Sequence, residues 1–132
     1  MKISVIVPIY NFTIELYELT KAALKTLVAD EHILIDNTST VGDINEIKHW
    51  ADIYIRNKTN LGFPKAVNQG FKLATGELLA VANNDIRVSS NAFNVAKTIF
   101  NENQKVGVVF FRMLPYDEPF WYGFDTWIGG KE

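Results

Sequence analysis

The chain has 132 residues, 48% hydrophobic and 21% charged, which suits one globular domain with a sizeable core and excludes a disordered chain. Its net charge of −2 offers no basic face of the kind that nucleic acid requires. There is no cysteine, so disulfides and cysteine-ligated zinc are excluded, and a cytoplasmic location is expected.

The opening stretch "MKISVIVPIYN" carries one lysine and a short β-branched run over residues 3–8, broken at Pro8. No small-residue cleavage site follows, so it reads as a strand and not a signal peptide. From Thr13 to Val28 the pattern becomes helical: Leu16, Leu19, Ala23 and Leu27 fall on one stripe. Thr13 can cap that helix and Glu15 suits its first turn. "ILID", residues 33–36, predicts a second strand, and a short polar helix over 43–50 turns Ile44, Ile47 and Trp50 inward. "DIYIR", residues 52–56, alternates as a third strand. Between Pro64 and Ala74, Val67, Phe71 and Ala74 share a helical face, with Pro64 in the first turn and Gly76 as the stop. "LLAVA", residues 78–82, is a fourth strand; Ala92, Val95, Ala96 and Ile99 mark a helix from Ser90 to Asn101; "VGVVFF", residues 106–111, is a fifth strand.

Continuous apolar strands alternating with helices predict a parallel sheet, covered on both faces and joined by right-handed crossovers. No apolar run approaches the roughly 20 residues that a membrane-spanning helix needs. His32 and His49 have no mutual spacing suited to a metal and read as structural or solvated.

In a parallel sheet, ligands bind beyond the carboxyl ends of the strands. Four polar clusters fall there: "PIYN" (8–11), "DNTST" (36–40), "NKTNLGFPKA" (57–66) and "NND" (83–85). Turn chemistry alone accounts for any one of them; together they form a rim that one ligand could span. Neither G-x-G-x-x-G nor G-x-x-x-x-G-K-[ST] is present, so a diphosphate would lack its usual glycine cradle. A divalent cation, Mn2+ or Mg2+, held by a carboxylate is the alternative, and Asp85 is placed for it. Asn83 or Asn84 could add a carbonyl oxygen or bond a sugar hydroxyl. Asp36 and Asp85, on neighbouring strand ends, would repel unless a cation or donor lay between them.

"ISVIVPIYN", "ILIDNTS", "NLGFPKAVNQGFKLATGE" and "LLAVANND", in this order and spacing, resemble the nucleotide-binding half of family 2 glycosyltransferases, over roughly residues 2–111. The branch that elongates surface glycans, including rhamnosyltransferases, is most similar. The resemblance implies an inverting enzyme with a GT-A fold, a three-layer α/β/α sandwich with a mostly parallel sheet, here unusually short. It implies a nucleotide-sugar-binding core over 1–111 and an aromatic tail over 112–132. Pro8, Tyr10 and Asn11 match the loop that packs against the nucleoside, and Asp36 the residue that contacts the pyrimidine. Asn60, Gly62 and Lys65 lie where the family approaches the nucleotide and phosphates. Asn84 and Asp85 match its "DXD" pair, with Asp85 the metal ligand and Asn84 a departure from the common aspartate.

The tail "LPYDEPFWYGFDTWIGGKE" partly echoes the motif that supplies the general base; Asp125 matches that base, with Asp117 and Glu118 as alternatives. Phe124 stands where a glutamate is usual. Tyr116, Phe120, Trp121, Tyr122, Phe124 and Trp127 crowd this segment and could stack on sugar, cover a sheet face, or meet a partner copy or membrane surface. The expected donor is a UDP- or dTDP-type sugar and the expected acceptor a glycan or lipid-linked hydroxyl. The competing expectation is a nucleotide-sugar-binding module that needs another chain for its acceptor.

Overall fold

The computed structural model describes residues 1–11, 13–40, 42–111 and 124–126. They form two compact units, Met1–Ser90 and a second beginning at Asn91. The first unit contains β1 (Ile3–Ile9), α1 (Ile14–Leu24), β2 (Glu31–Asp36), α2 (Ile44–Lys48), β3 (Ile53–Arg56), α3 (Phe63–Leu73) and β4 (Leu78–Val81). Its four strands are all parallel, in the order β3-β2-β1-β4.

β1 is the spine of this sheet. All seven of its residues are buried, as its β-branched run requires of a strand paired on both sides. Ile6, Ile33, Ile35 and Ala66 form the centre of the core, joining β1, β2 and α3. Gly70 allows α3 to lie this close: a Cβ there would stand 2.4 Å from Cγ2 of Ile6. Coverage is incomplete at β4, where Leu79 and Val81 are 46% and 42% exposed, so the expectation of a sheet covered on both faces does not extend to this strand.

Helix boundaries follow capping chemistry. Thr13 caps α1, its hydroxyl accepting from the Leu16 N–H at 3.2 Å, and Asp43 caps α2. The buried faces differ from the expected stripes. On α1, Thr20, Ala23 and Leu24 are buried while Leu19 is exposed; on α3, Ala66, Val67 and Gly70 are buried while Phe71 is exposed. Hydrophobicity alone misassigns these positions, because a close helix–sheet approach favours small or hydrogen-bonded residues over large apolar ones.

The second unit contains α4 (Ala92–Glu102), β5 (Val109–Phe111) and β6 (Phe124–Thr126). β5 pairs antiparallel with β6, Phe110 opposite Asp125, and is therefore not a fifth member of the parallel sheet. Phe93 of α4 meets Phe111 of β5 edge to face, with centroids 6.3 Å apart.

The amino edge of the parallel sheet is tied by a buried carboxylate. Glu31 accepts from the Ser4 hydroxyl, from the Thr75 N–H at 2.9 Å, from the Thr75 hydroxyl at 2.7 Å and from Lys2 Nζ at 3.3 Å. The Ser4 oxygen in turn accepts from the Gly76 N–H at 2.8 Å. One side chain thus joins the starts of β1 and β2 to the turn between α3 and β4. Nearby, the His32 ring lies 2.9 Å from the Leu27 carbonyl and 3.2 Å from Asp52, and stacks edge-on to Trp50.

Burial pushes the Glu31 carboxyl up, but the donors from Ser4, Thr75 and Lys2 outweigh it and hold the pKa at about 2, against an ordinary 4.5. A lowered folded-state value means the stabilisation is complete above about pH 4.5 and is lost as pH falls towards 2. Glu31→Gln is expected to cost about 1.5–3 kcal/mol at pH 7 and to flatten the acid limb of stability. Urea denaturation between pH 7 and pH 3 checks this; equal loss at both ends would show that Glu31 ionisation is irrelevant.

Candidate functional site at the carboxyl edge of the sheet

Because the strands are parallel, their carboxyl ends share one edge. The chain order β3-β2-β1 reverses direction at β4, so the crevice between the ends of β1 and β4 is the topological switch point. Pro8 borders it. Odd-numbered carbonyls of β1 face β2: Ile3 accepts from Asp30 N–H and Ile9 from Asn37 N–H. Even-numbered ones face β4: Lys2 accepts from Leu78 N–H and Ile6 from Ala82 N–H. Residue 8 therefore faces β4, beyond Ile6, the last β1 residue in register with it. Proline has no N–H to offer there, so it fits this central strand without breaking the ladder. Pro8 is thus a buried strand residue, whereas Tyr10 and Asn11 form the expected loop, with Tyr10 49% exposed.

The loops after β1, β2 and β3 are bound into one network. Asp36, 0% exposed at the end of β2, accepts from the Ser39 N–H at 2.7 Å and from the Tyr54 hydroxyl at 2.9 Å, and lies 3.5 Å from Arg56 Nη1. Arg56 also donates to the Ser39 carbonyl at 2.7 Å, which fixes its half-exposed guanidinium on the rim. Burial, together with the hydrogen bond and charge of Asp36, pushes the Tyr54 hydroxyl pKa up, so it remains a donor at neutral pH. The buried carboxylate thereby organises two strand ends.

Asn11 crosses to the next loop. Its N–H donates to the Ser39 hydroxyl at 3.1 Å, and its side-chain oxygen accepts from the Thr40 N–H and hydroxyl, each at 3.1 Å. Asn11 has φ 46° and Thr38 φ 70°. For β-branched Thr38 this is an outlier, costing about 1–3 kcal/mol and held by its hydrogen bond to the Asn57 carbonyl. Asn57 and Gln69 exchange amide hydrogen bonds of 2.9 and 2.8 Å, and Asn57 also donates to Asn37 at 2.9 Å. Asn60 makes a local turn, accepting from the Gly62 N–H at 2.8 Å. Gly62 adopts φ 81° with open space around a built Cβ, so conformation and not crowding calls for glycine. Lys65 is exposed in the first turn of α3.

Beyond β4, Asn83 and Asp85 are exposed and Asn84 is half-buried. Asn84 is turned inward: its amide donates to the Thr20 hydroxyl oxygen at 2.9 Å. Among the described residues no three His, Asp or Glu side chains gather to hold a metal. Asp85 is an exposed carboxylate residue just beyond the end of β4. Asp125 lies in β6 of the second unit. Asp117 and Glu118 lie outside the described residues, as do Tyr116, Phe120, Trp121, Tyr122 and Trp127.

Tyr54, Arg56 and Thr20 were not expected at the site. A signal existed for Arg56: a buried Asp36 demands donors or a cation, and β3 ends in one beside it. Thr20 carried no such signal, since nothing local distinguishes it from a surface threonine.

Residues 4–131 match the family described as Glycosyl transferase family 2. The crystal structure of S. aureus TarS 1-349 superposes with a TM-score of 0.65 at 25% identity, covering 80% of this chain and 34% of that one. A longer S. aureus TarS structure gives 0.64 at 25% identity, over 88% and 23% of the two chains. Mannosyltransferase PcManGT from Pyrobaculum calidifontis, solved with GDP-Man and Mn2+, gives 0.66 at 21% identity, over 80% and 34%. The fold is that of GT-A glycosyltransferases, and the chain spans 34% or less of the length of these structures. No protein of curated function matches the sequence significantly.

Asp36→Asn keeps the shape of the rim but sets an amide N–H2 against a donor. It is expected to cost about 2–3 kcal/mol, and Tyr54→Phe about 1–2 kcal/mol. Guanidinium denaturation measures both; losses under about 0.5 kcal/mol would show that Asp36 does not organise the strand ends.

Proposed function

The chain belongs to glycosyl transferase family 2, and from that premise we propose that it binds a nucleoside-diphosphate sugar along the carboxyl edge of its parallel sheet and transfers the sugar, with inversion, to a glycan or lipid-linked hydroxyl. The observation that carries this reading is the rim itself: loops after β1, β2 and β3 joined by Asn11, Asp36 and Asn57, with exposed Asp85 across the switch point.

On this reading Tyr10 and Asn11 border the nucleoside. Asp36 acts chiefly by fixing Tyr54, Arg56 and the Ser39 loop; with both oxygens engaged and no exposed surface, it reaches a pyrimidine only if those partners shift. Asn60, Gly62 and Lys65 border the diphosphate, with Asn83 nearby. Asp85 would hold a cation, Mn2+ or Mg2+, which would supply positive charge against the leaving diphosphate. Asp125 takes the acceptor proton as the oxygen attacks the anomeric carbon and the bond to the diphosphate breaks. Attack opposite the leaving group gives inversion. A cytoplasmic enzyme, peripheral to the membrane through its aromatic tail, would suit a lipid-linked acceptor.

A second reading is a donor-binding module whose acceptor site needs another chain. Phe124 favours it, because a carboxylate is usual beside the base.

Calorimetry with UDP, GDP and dTDP, each with and without Mn2+, separates these readings from a purely structural domain. Binding of at least one nucleotide is expected, tightened at least about tenfold by Mn2+, with Asp85→Ala abolishing the increment while metal-free binding persists. Failure of all three to bind removes both readings. Asp125→Asn is expected to lower donor-sugar hydrolysis at least about a hundredfold with donor affinity intact; unchanged turnover would remove Asp125 as the base.

A further inference from the structure

Two threonines of the first unit share one arrangement. Thr20 of α1 is 0% exposed; its hydroxyl donates to the Leu16 carbonyl at 2.8 Å, and its oxygen accepts from the Asn84 amide at 2.9 Å. Thr26, just past α1, donates to the Ala23 carbonyl at 2.7 Å and accepts from the Val88 N–H at 3.0 Å. In each case the hydroxyl proton goes to a carbonyl of its own helix, leaving lone pairs that can only accept. Each accepted donor comes from the loop after β4. The two donors, Asn84 and Val88, bracket Asp85.

We propose that Asn84 is a positioning residue and not a ligand of donor or cation: with Thr20 and Thr26 it clamps the Asp85 loop onto α1. This rests on the reading of Asp85 as the residue that meets the cation. It also gives a physical reason for asparagine at position 84. The buried Thr20 oxygen is an acceptor, and the asparagine amide donates to it. An aspartate cannot donate. It could be met only if Thr20 withdrew its proton from Leu16 and rotated, and it would bring a second negative charge beside Asp85 in a half-buried position. Asparagine therefore gives up a second metal-facing carboxylate and gains a fixed loop, so that the remaining carboxylate is held in one place before the ligand arrives.

The test is Mn2+ affinity, read from the electron paramagnetic resonance of free Mn2+, in the presence of UDP, GDP or dTDP. Thr20→Val is nearly isosteric and removes the hydroxyl, and with it both the acceptor for Asn84 and the bond to the Leu16 carbonyl; Thr20→Ser keeps both. Loss of one positioning hydrogen bond is expected to weaken Mn2+ binding about fivefold in Thr20→Val and in Asn84→Ala. The double variant should be no weaker than either single one, because both remove the same bond. Thr20→Ser should retain wild-type affinity. Circular dichroism and thermal melts confirm that each variant is folded. If Asn84→Ala weakens Mn2+ while Thr20→Val does not, or if Asn84→Asp tightens it, Asn84 is a direct ligand and the proposal is overturned. If Asp85→Ala leaves Mn2+ affinity unchanged, the underlying reading of Asp85 falls first and the clamp loses its purpose.

Discussion

The structure depends on one constraint: β1 is buried along its whole length, paired with β2 throughout and with β4 as far as Ile6. Its centre is apolar and its backbone there is taken up by neighbouring strands. Chemistry is therefore displaced to the two ends of the sheet. Each end is closed by a buried carboxylate whose donors come from several segments: Glu31 at the amino end and Asp36 at the carboxyl end. Each network also ends in a half-exposed cation, Lys2 beside Glu31 and Arg56 beside Asp36. The carboxyl end differs in that the loops after β1, β2 and β3 all join its network.

That rigidity is not free of strain. Thr38 sits at φ 70° and Asn11 at φ 46°, both in loops of the carboxyl edge. Asparagine tolerates that region; threonine does not. The strain persists because hydrogen bonds to Asn57, Ser39 and Thr40 over-determine the loops. Loops held this way are set in advance, and a surface set in advance lowers the entropy that any binding must overcome.

Much of this was legible in the sequence. Runs such as "ISVIVP" and "ILID" signal buried parallel strands because β-branched side chains pack on both faces of a pleat. The motif order pointed to the family, and the strand-end clusters pointed to the carboxyl edge; Asp36 and Asp85 do not lie on neighbouring strand ends as expected, because β1 stands between β2 and β4. What was not legible is non-local. Leu19 appeared to belong to the buried stripe of α1, but Thr20 occupies the interior, because its hydroxyl has partners 4 and 64 residues away. Phe71 yielded to Gly70 for a different reason: the gap between α3 and Ile6 admits no Cβ. The inward turn of Asn84 has the same origin as Thr20's burial. Periodicity records the polarity of a side chain, not whether a distant segment completes its hydrogen bonds.

Pro8 carries a consequence for how the protein can change. On the side of β1 that faces β4, the donor that would follow Ile6 does not exist. Repacking the core cannot supply it, however much stability it adds. A change at position 8 would offer β4 that rung and lengthen the ladder by one donor, with the pairing to β2 untouched. The length of this ladder is thus set by an imide nitrogen and not by the stability of the scaffold.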